Sequence, residues 1–435
     1  MSDDLEPASS QFAQPVPGDM GTPAIHPVQP PLSLTDFLDE ESAPPLVKDV
    51  LVSNDESLPA FVRARQSLGP GLGEAVGWTA GVFGSHLLLS IGLLFIISIV
   101  SAVYLVSAEG IKDPKELERR LAMDSMGSLG HTILVCGEQW LMVGLTIVAI
   151  WLRMGKQTTR QLNLDLPHPY QLLIVTCLVL PLGGIADLSY RLASIPWDFL
   201  KNQSDLFAQL DQVNMVEQMQ KMTASIPLPL LILAISVSPA ISEELVFRGL
   251  LVRGLLARWG VLWTMLISSF LFALIHFHPL HVMAVFPIGM ALFWIYYTTR
   301  NFWLPMWLHL LNNLCSILVM RWQGSLEEVL ENADTMQLVV QSGIALLGTS
   351  IALWLLHKNR TRYVNAAGDE WNPPAAPMSS PPVQLGFQRQ VNVVGIPVFV
   401  IGAALTALLL FAQVSSMIEP LDETKAGISD PALAP

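Results

Sequence analysis

A chain of 435 residues that is 52% hydrophobic and only 14% charged is too apolar for an ordinary soluble protein, in which about a quarter of residues carry charge. Its net charge of −13 argues against a nucleic-acid partner. Three cysteines, all within apolar runs, read as small buried hydrophobes and supply neither a disulfide framework nor a paired-cysteine metal site.

Apolar runs of about eighteen residues or more define the class instead: all-α, a polytopic transmembrane helical bundle of about eight or nine spans with disordered N- and C-terminal tails. Residues 1–78 form an acidic, proline-rich tail that cannot bury enough apolar surface to order itself. It lacks the basic region and short apolar core of a cleavable signal peptide, so the first span directs insertion. A transmembrane domain follows at 79–357. The expected spans run from Gly81 to Ala108, His131 to Leu152, and Tyr170 to Leu188, the third broken by Pro181 and Gly183-Gly184. A polar stretch from Asp198 to Lys221 reads as an amphipathic helix outside the membrane. Then come Ile226 to Ala257, Val261 to Phe277, Val282 to Tyr297, Leu304 to Met320 and Met336 to Leu356. Residues 358–392 read as a linker, 393–416 as a final transmembrane helix, and 417–435 as a second disordered tail.

With nine spans, the side shared with the N-terminus carries 14 of the 23 basic residues. That modest bias places the N-terminus in the cytosol, in the plasma (inner) membrane if the source is bacterial.

One stretch interrupts the apolar pattern with chemistry: Ser238-Pro239-Ala240-Ile241-Ser242-Glu243-Glu244-Leu245-Val246-Phe247-Arg248-Gly249. Ionisable groups are costly inside a bilayer, so they mark a polar cavity or a functional site. On a helix Glu244 and Arg248 are four apart and pair on one face, leaving Glu243 without a local partner. A turn near Trp259-Gly260 sends the next helix back antiparallel, carrying His276. Two spans later His309 and Asn313 project from one helix face. A carboxylate and an imidazole can together deprotonate a water, while a second imidazole and a carboxamide can stabilise an oxyanion. No serine or cysteine sits in a nucleophile context and HExxH is absent, so activated water is the expected nucleophile.

Glu243-Glu244-x-x-x-Arg248, Phe272-x-x-x-His276 and His309-x-x-x-Asn313, in this order on successive apolar segments, resemble the three motifs of the CPBP family. This is the CAAX-protease and bacteriocin-processing (Abi) family, which includes type II CAAX prenyl endopeptidases. The resemblance covers about residues 225–320. It implies an intramembrane endopeptidase acting on membrane-anchored or lipidated peptides, with Glu243 activating water beside His276 and an oxyanion role for His309 and Asn313. The family is described both as metalloproteases and as glutamate-dependent proteases, and the sequence leaves both open.

Each residue also has a plainer reading. Glu243, Glu244 and Arg248 could form a structural intramembrane ion cluster, His276 could be a packing histidine, and His309 with Asn313 could bond two helices. His276, His278 and His281 form an HxHxxH cluster with ligand chemistry for a divalent metal such as zinc, although a loop containing Pro279 explains them as well. Glu138, Gln139 and Asp187 either line the cavity or staple helices. Trp259, Trp303 and Trp307 read as interfacial anchors. Two other classes stay open: a non-catalytic peptide-binding or immunity protein on the same fold, and a proton-coupled transporter.

Overall fold

The computed structural model describes residues 71–124, 128–155, 158–211, 226–323, 335–372, 378–381 and 383–418. Residues 1–70 and 419–435, where most of both expected disordered tails fall, lie outside the described residues, as does 212–225 of the expected amphipathic helix.

The first helix, α1 (Leu72–Ser107), has 36 residues and would be about 54 Å long, far more than the roughly 30 Å of a hydrocarbon core. It shows lipid-facing side chains such as Leu88, Phe95 and Val100 over most of its surface and buries the stripe Ala75, Thr79 and Val82. A short polar helix, α2 (Pro114–Asp124), leads to α3 (Ser128–Met154). Among the described residues, seven helices are long and apolar enough to cross a membrane, and the shorter apolar helix Ile396–Phe411 adds to them. The chain is an integral, multi-pass membrane protein.

The structure corrects the expected break in the third span. Helix α4 (Pro169–Gln203) runs through Pro181 and Pro196 without interruption. Its Pro-Gly segment is a packing face against α9 (Thr335–Lys358). A Cβ on Gly348 would lie 3.2 Å from the Pro181 ring, and one on Gly184 would lie 2.8 Å from the Ala345 Cβ. Small residues let the two backbones meet, which is how helices associate where the hydrophobic effect is absent. The expected extramembrane helix is likewise partly absorbed into α4, which extends to Gln203 before a short helix, Asp205–Asp211.

The apolar run Leu228–Leu274 contains one non-helical residue, Gly260, with φ 69° and ψ −175°. It divides α5 (228–259) from α6 (261–274). Phe247 and Phe272 are 25 positions apart and would be about 37 Å apart on a straight helix, yet their rings meet at 5.2 Å. The chain therefore reverses at Gly260, as the sequence suggests. Helices α7 (Pro279–Thr299), α8 (Trp303–Gln323), α9 and α10 (Ile396–Ile418) complete the bundle. Its core joins α4, α5, α6, α7, α8 and α9 through Ile174, Leu178, Phe247, Phe272, Phe293, Tyr296, Leu308 and Leu355.

The stretch read as a linker holds an antiparallel hairpin, β1 (Thr361–Val364) with β2 (Gln388–Val391). Tyr363 and Asn163 exchange hydrogen bonds at 2.9 and 3.2 Å, Arg300 donates to the carbonyls of Trp371 and Ser379, and Asn359 donates to that of Val394. The hairpin is thereby latched onto the ends of α4, α7 and α9.

Gly184→Val should lower folding stability by about 1–3 kcal/mol through overpacking, read as a fall in thermal midpoint in detergent. Gly183→Val, where a Cβ meets nothing within 4 Å, should leave the midpoint nearly unchanged.

Candidate active site

The acidic pair sits on a short α-helical stretch, Ser238–Glu244, flanked by two π-helical turns, Ile232–Val237 and Leu245–Leu251. Such widened turns gather at functional sites because they shift the register of side chains along one helix. Sequence periodicity carries no signal for them.

Glu244 and Arg248 are buried, at 0% and 1% exposure. Arg248 donates from Nη1 to Glu244 Oε1 at 2.9 Å and from Nη2 to the Gly289 carbonyl at 2.9 Å. Its guanidinium lies over the Phe272 ring, 4.7 Å from the centroid. The expected Glu244–Arg248 pair is thus formed, with α6 and α7 completing its surroundings. A Cβ on Gly289 would stand 3.1 Å from Ser269, so only glycine lets this turn of α7 come so close to α6.

His309 of α8 stands between the two carboxylates. Its Nδ1 is 3.0 Å from Glu244 Oε1, and its Nε2 is 3.9 Å from Glu243 Oε2. Glu243 Oε2 is buried and makes no hydrogen bond, but its side chain keeps 14% exposure where Glu244 keeps none. Glu243 is therefore the carboxylate that a small molecule can reach, and Glu244 the one that organises the interior.

The structure moves His276 off the helix where the sequence puts it. The helix ends at Leu274, and His276 lies in the following turn, its N–H bonded to the Ala273 carbonyl at 3.0 Å. Phe277 adopts φ 57°, an uncommon conformation for a bulky residue. His276 Nδ1 faces the Phe272 carbonyl at 3.2 Å, so a proton there leaves Nε2 as a free acceptor. Phe272 touches both imidazoles edge-on, with centroids 5.8 Å from His276 and 5.6 Å from His309. Asn313 donates through Nδ2 to the Ile235 carbonyl at 3.1 Å, within the first π-helical segment.

The remaining polar candidates also find partners. Glu138 meets His86 of α1 at 2.7 Å, the Gln139 carbonyl accepts from the Ser238 hydroxyl at 2.9 Å, and Asp187 pairs with Arg191 on α4 at 2.8 Å. Trp303 donates to the Leu164 carbonyl and Trp307 to the Thr176 hydroxyl, both at 3.0 Å. The sequence held no sign that His86 belongs near this centre.

The donor set does not fit a metal. Among the described residues no group of three or more His, Cys, Asp or Glu is gathered to hold one. Glu244 Oε1 and His309 Nδ1 already face each other with Arg248 alongside, where a cation would compete. The HxHxxH residues are divided among a turn, a cap and a helix. His278 caps α7, and its ring meets that of His281 at 5.5 Å.

His278 belongs instead to a clasp in which it and Asp211, both outside the spans, meet the last turns of α4. Asp211 accepts from Trp197 Nε1 at 2.8 Å and from Lys201 at 2.9 Å, and lies 3.7 Å from His278 Nε2. Burial pushes the Asp211 carboxyl up, but the Trp197 and Lys201 hydrogen bonds outweigh it and hold the group below its ordinary range. Burial lowers the His278 imidazole, with Asp211 opposing.

Residues 225–315 match a family model described as type II CAAX prenyl endopeptidase Rce1-like. A Bacillus subtilis (strain 168) protein named "Putative membrane peptidase YdiL" is 26% identical over 112 residues, which is 26% of this chain and 46% of that protein. The chain thus spans about half the length of this curated relative. No solved structure matches.

Arg248→Ala should destabilise the fold by about 3–5 kcal/mol, because it leaves Glu244 buried and uncompensated, read as loss of extractable folded protein. The double substitution Glu244→Gln/Arg248→Met should recover part of it. At the clasp, Asp211 holds its proton more weakly folded than unfolded, so its contribution is present above the ordinary aspartate range and lost as pH falls through the lowered value. The wild type should exceed Asp211→Asn in thermal midpoint at pH 7, and the gap should close below about pH 4.

Matched across its central helices by the endopeptidase model, and carrying all three motifs in order around one buried ion pair, the chain is similar to the CPBP family through residues 225–315.

Proposed function

We propose that this chain is an intramembrane endopeptidase that hydrolyses peptide bonds of membrane-anchored or lipidated substrates. The observation that carries the reading is the contrast between two adjacent carboxylates. Glu244 is sealed, its Oε1 against Arg248 and His309, while the Glu243 side chain keeps 14% exposure and its Oε2 bonds nothing. A structural ion cluster has no use for the second carboxylate, whereas a hydrolase needs one whose lone pairs are uncommitted.

In this reading a water between Glu243 and His276 Nε2 gives up a proton as its oxygen attacks the scissile carbonyl carbon. Glu243 takes the proton, and the carbonyl oxygen becomes an oxyanion. His309, oriented through Nδ1 by Glu244, donates to it from Nε2, joined by the second Nδ2 proton of Asn313. The carbon–nitrogen bond then breaks, and the proton held by Glu243 passes to the leaving amine. Arg248 takes no part in proton transfer and fixes Glu244. Preference for prenylated substrates, present in the wording of the family model, is not carried to this chain.

Glu243→Gln should abolish turnover while the protein stays folded. Profiling the termini of membrane-protein fragments in wild-type and variant membranes tests this, since Glu243-dependent fragments also name the substrate. Identical profiles with a folded variant would favour the non-catalytic binding reading. His276→Ala should lower kcat about 100-fold, because the attacking water loses the Nε2 acceptor that orients it toward the scissile carbonyl. Asn313→Ala should lower kcat more than it raises KM.

A further inference from the structure

The matched segment begins at residue 225, yet the helix that carries Glu243 is packed against α1 and α3, well before it. The buried stripe of α1 advances at helical spacing through Ala75, Thr79 and Val82, and the next position on that face is His86. One turn earlier, Phe83 packs on Phe247 of α5, with ring centroids 6.1 Å apart. From α3, Glu138 reaches His86 at 2.7 Å, and the neighbouring Gln139 carbonyl accepts from Ser238 on the same helical stretch as Glu243. The stripe and the hydroxyl bond bring the pair to the level of the acidic centre.

One feature separates this pair from a simple staple. Both side chains retain exposure, 23% and 21%, although they sit mid-helix in apolar segments. Polar groups at that depth face a cavity or the bundle interior rather than lipid.

We propose that His86, paired with Glu138, is a positioning residue for Glu243, reaching the acidic centre from α1. The inference rests on the protease reading. Its role is to fix the carboxylate's orientation toward the attacking water, through a field from α1 that the motif helices do not supply. The positions of α1 and α3 would then set the activity of a centre built on α5, α6 and α8.

The test exchanges the two residues. His86→Glu/Glu138→His keeps a carboxylate–imidazole pair between α1 and α3 but moves the imidazole to the other helix. Turnover of a substrate found by the terminus profiling is measured together with thermal midpoint. The expected result is a folded exchange variant whose kcat is at least about tenfold below wild type, with KM within twofold. His86→Gln, which keeps a polar side chain at the site, should fold within a few degrees of wild type and lose kcat to a similar extent. If the exchange variant does not fold, His86→Gln alone decides. Full recovery of stability and kcat on exchange, or full activity in His86→Gln, would show a staple and overturn the inference. A wild type with no Glu243-dependent turnover overturns the protease reading and this inference together. Glu243-dependent turnover that His86 does not alter removes this inference alone.

Discussion

The bundle is arranged around one buried ion pair. Removing Glu244 and Arg248 from water carries a desolvation penalty of several kcal/mol per ion, which their mutual attraction offsets only if the remaining protons and lone pairs are met. The fold supplies partners from four helices. Glu244 and Arg248 come from α5, the imidazole of His309 from α8, the Phe272 face from α6 and the Gly289 carbonyl from α7. Each partner has a sequence requirement behind it. Arg248 must be four residues from Glu244, the chain must reverse at Gly260, and α7 must lack a side chain at Gly289. The pair is weak as a source of stability, and its strength lies in how few arrangements of four helices can satisfy it.

Phe272 shows how an apolar residue organises a polar site. Its face meets a guanidinium and its surroundings include two imidazoles and Phe247. The ring quadrupole attracts a cation over the face and positive edges elsewhere, so one side chain orients three polar groups without a hydrogen bond of its own. Its carbonyl adds a fourth constraint by fixing the ring of His276. The left-handed residue that follows, Phe277, belongs to the same turn, and its side chain is 84% exposed. Packing therefore does not explain that strain. It accompanies the placement of His276 clear of helical hydrogen bonding.

Much of this was legible in the sequence because its grammar is local. The i, i+4 spacing of Glu244 and Arg248, the glycine at the reversal and the apolar run lengths each follow from short-range geometry. What escaped reading depends on neighbours. Pro181 looks like a helix break until Gly348 on α9 makes room for its ring. The π-helical turns around Ser238–Glu244 leave no trace in periodicity, and His276 reads as helical because the apolar run continues to Phe277. The hairpin at 361–391 was hidden in a basic, proline-rich stretch, where Tyr363 acquires meaning only through Asn163, two hundred residues earlier. His86 was a lone histidine in an apolar helix, and only the approach of Glu138 gives it a context.

The latched hairpin gives the bundle a mechanical polarity. At one end the connections after α3, α7 and α9 are cross-tied, by Arg253 to Gln161, Asn301 to the Asp165 carbonyl, Arg300 to Trp371 and Ser379, and Arg389 to the Leu166 carbonyl. Among the described residues the opposite end has the smaller Asp211 clasp, held by Trp197, Lys201 and His278. A sheaf bound at one end opens by splaying at the other. Local opening follows the segments with fewest ties, so under the proposed function a chain entering from the bilayer would part the helices at the clasp end, with the hairpin end as the fixed base.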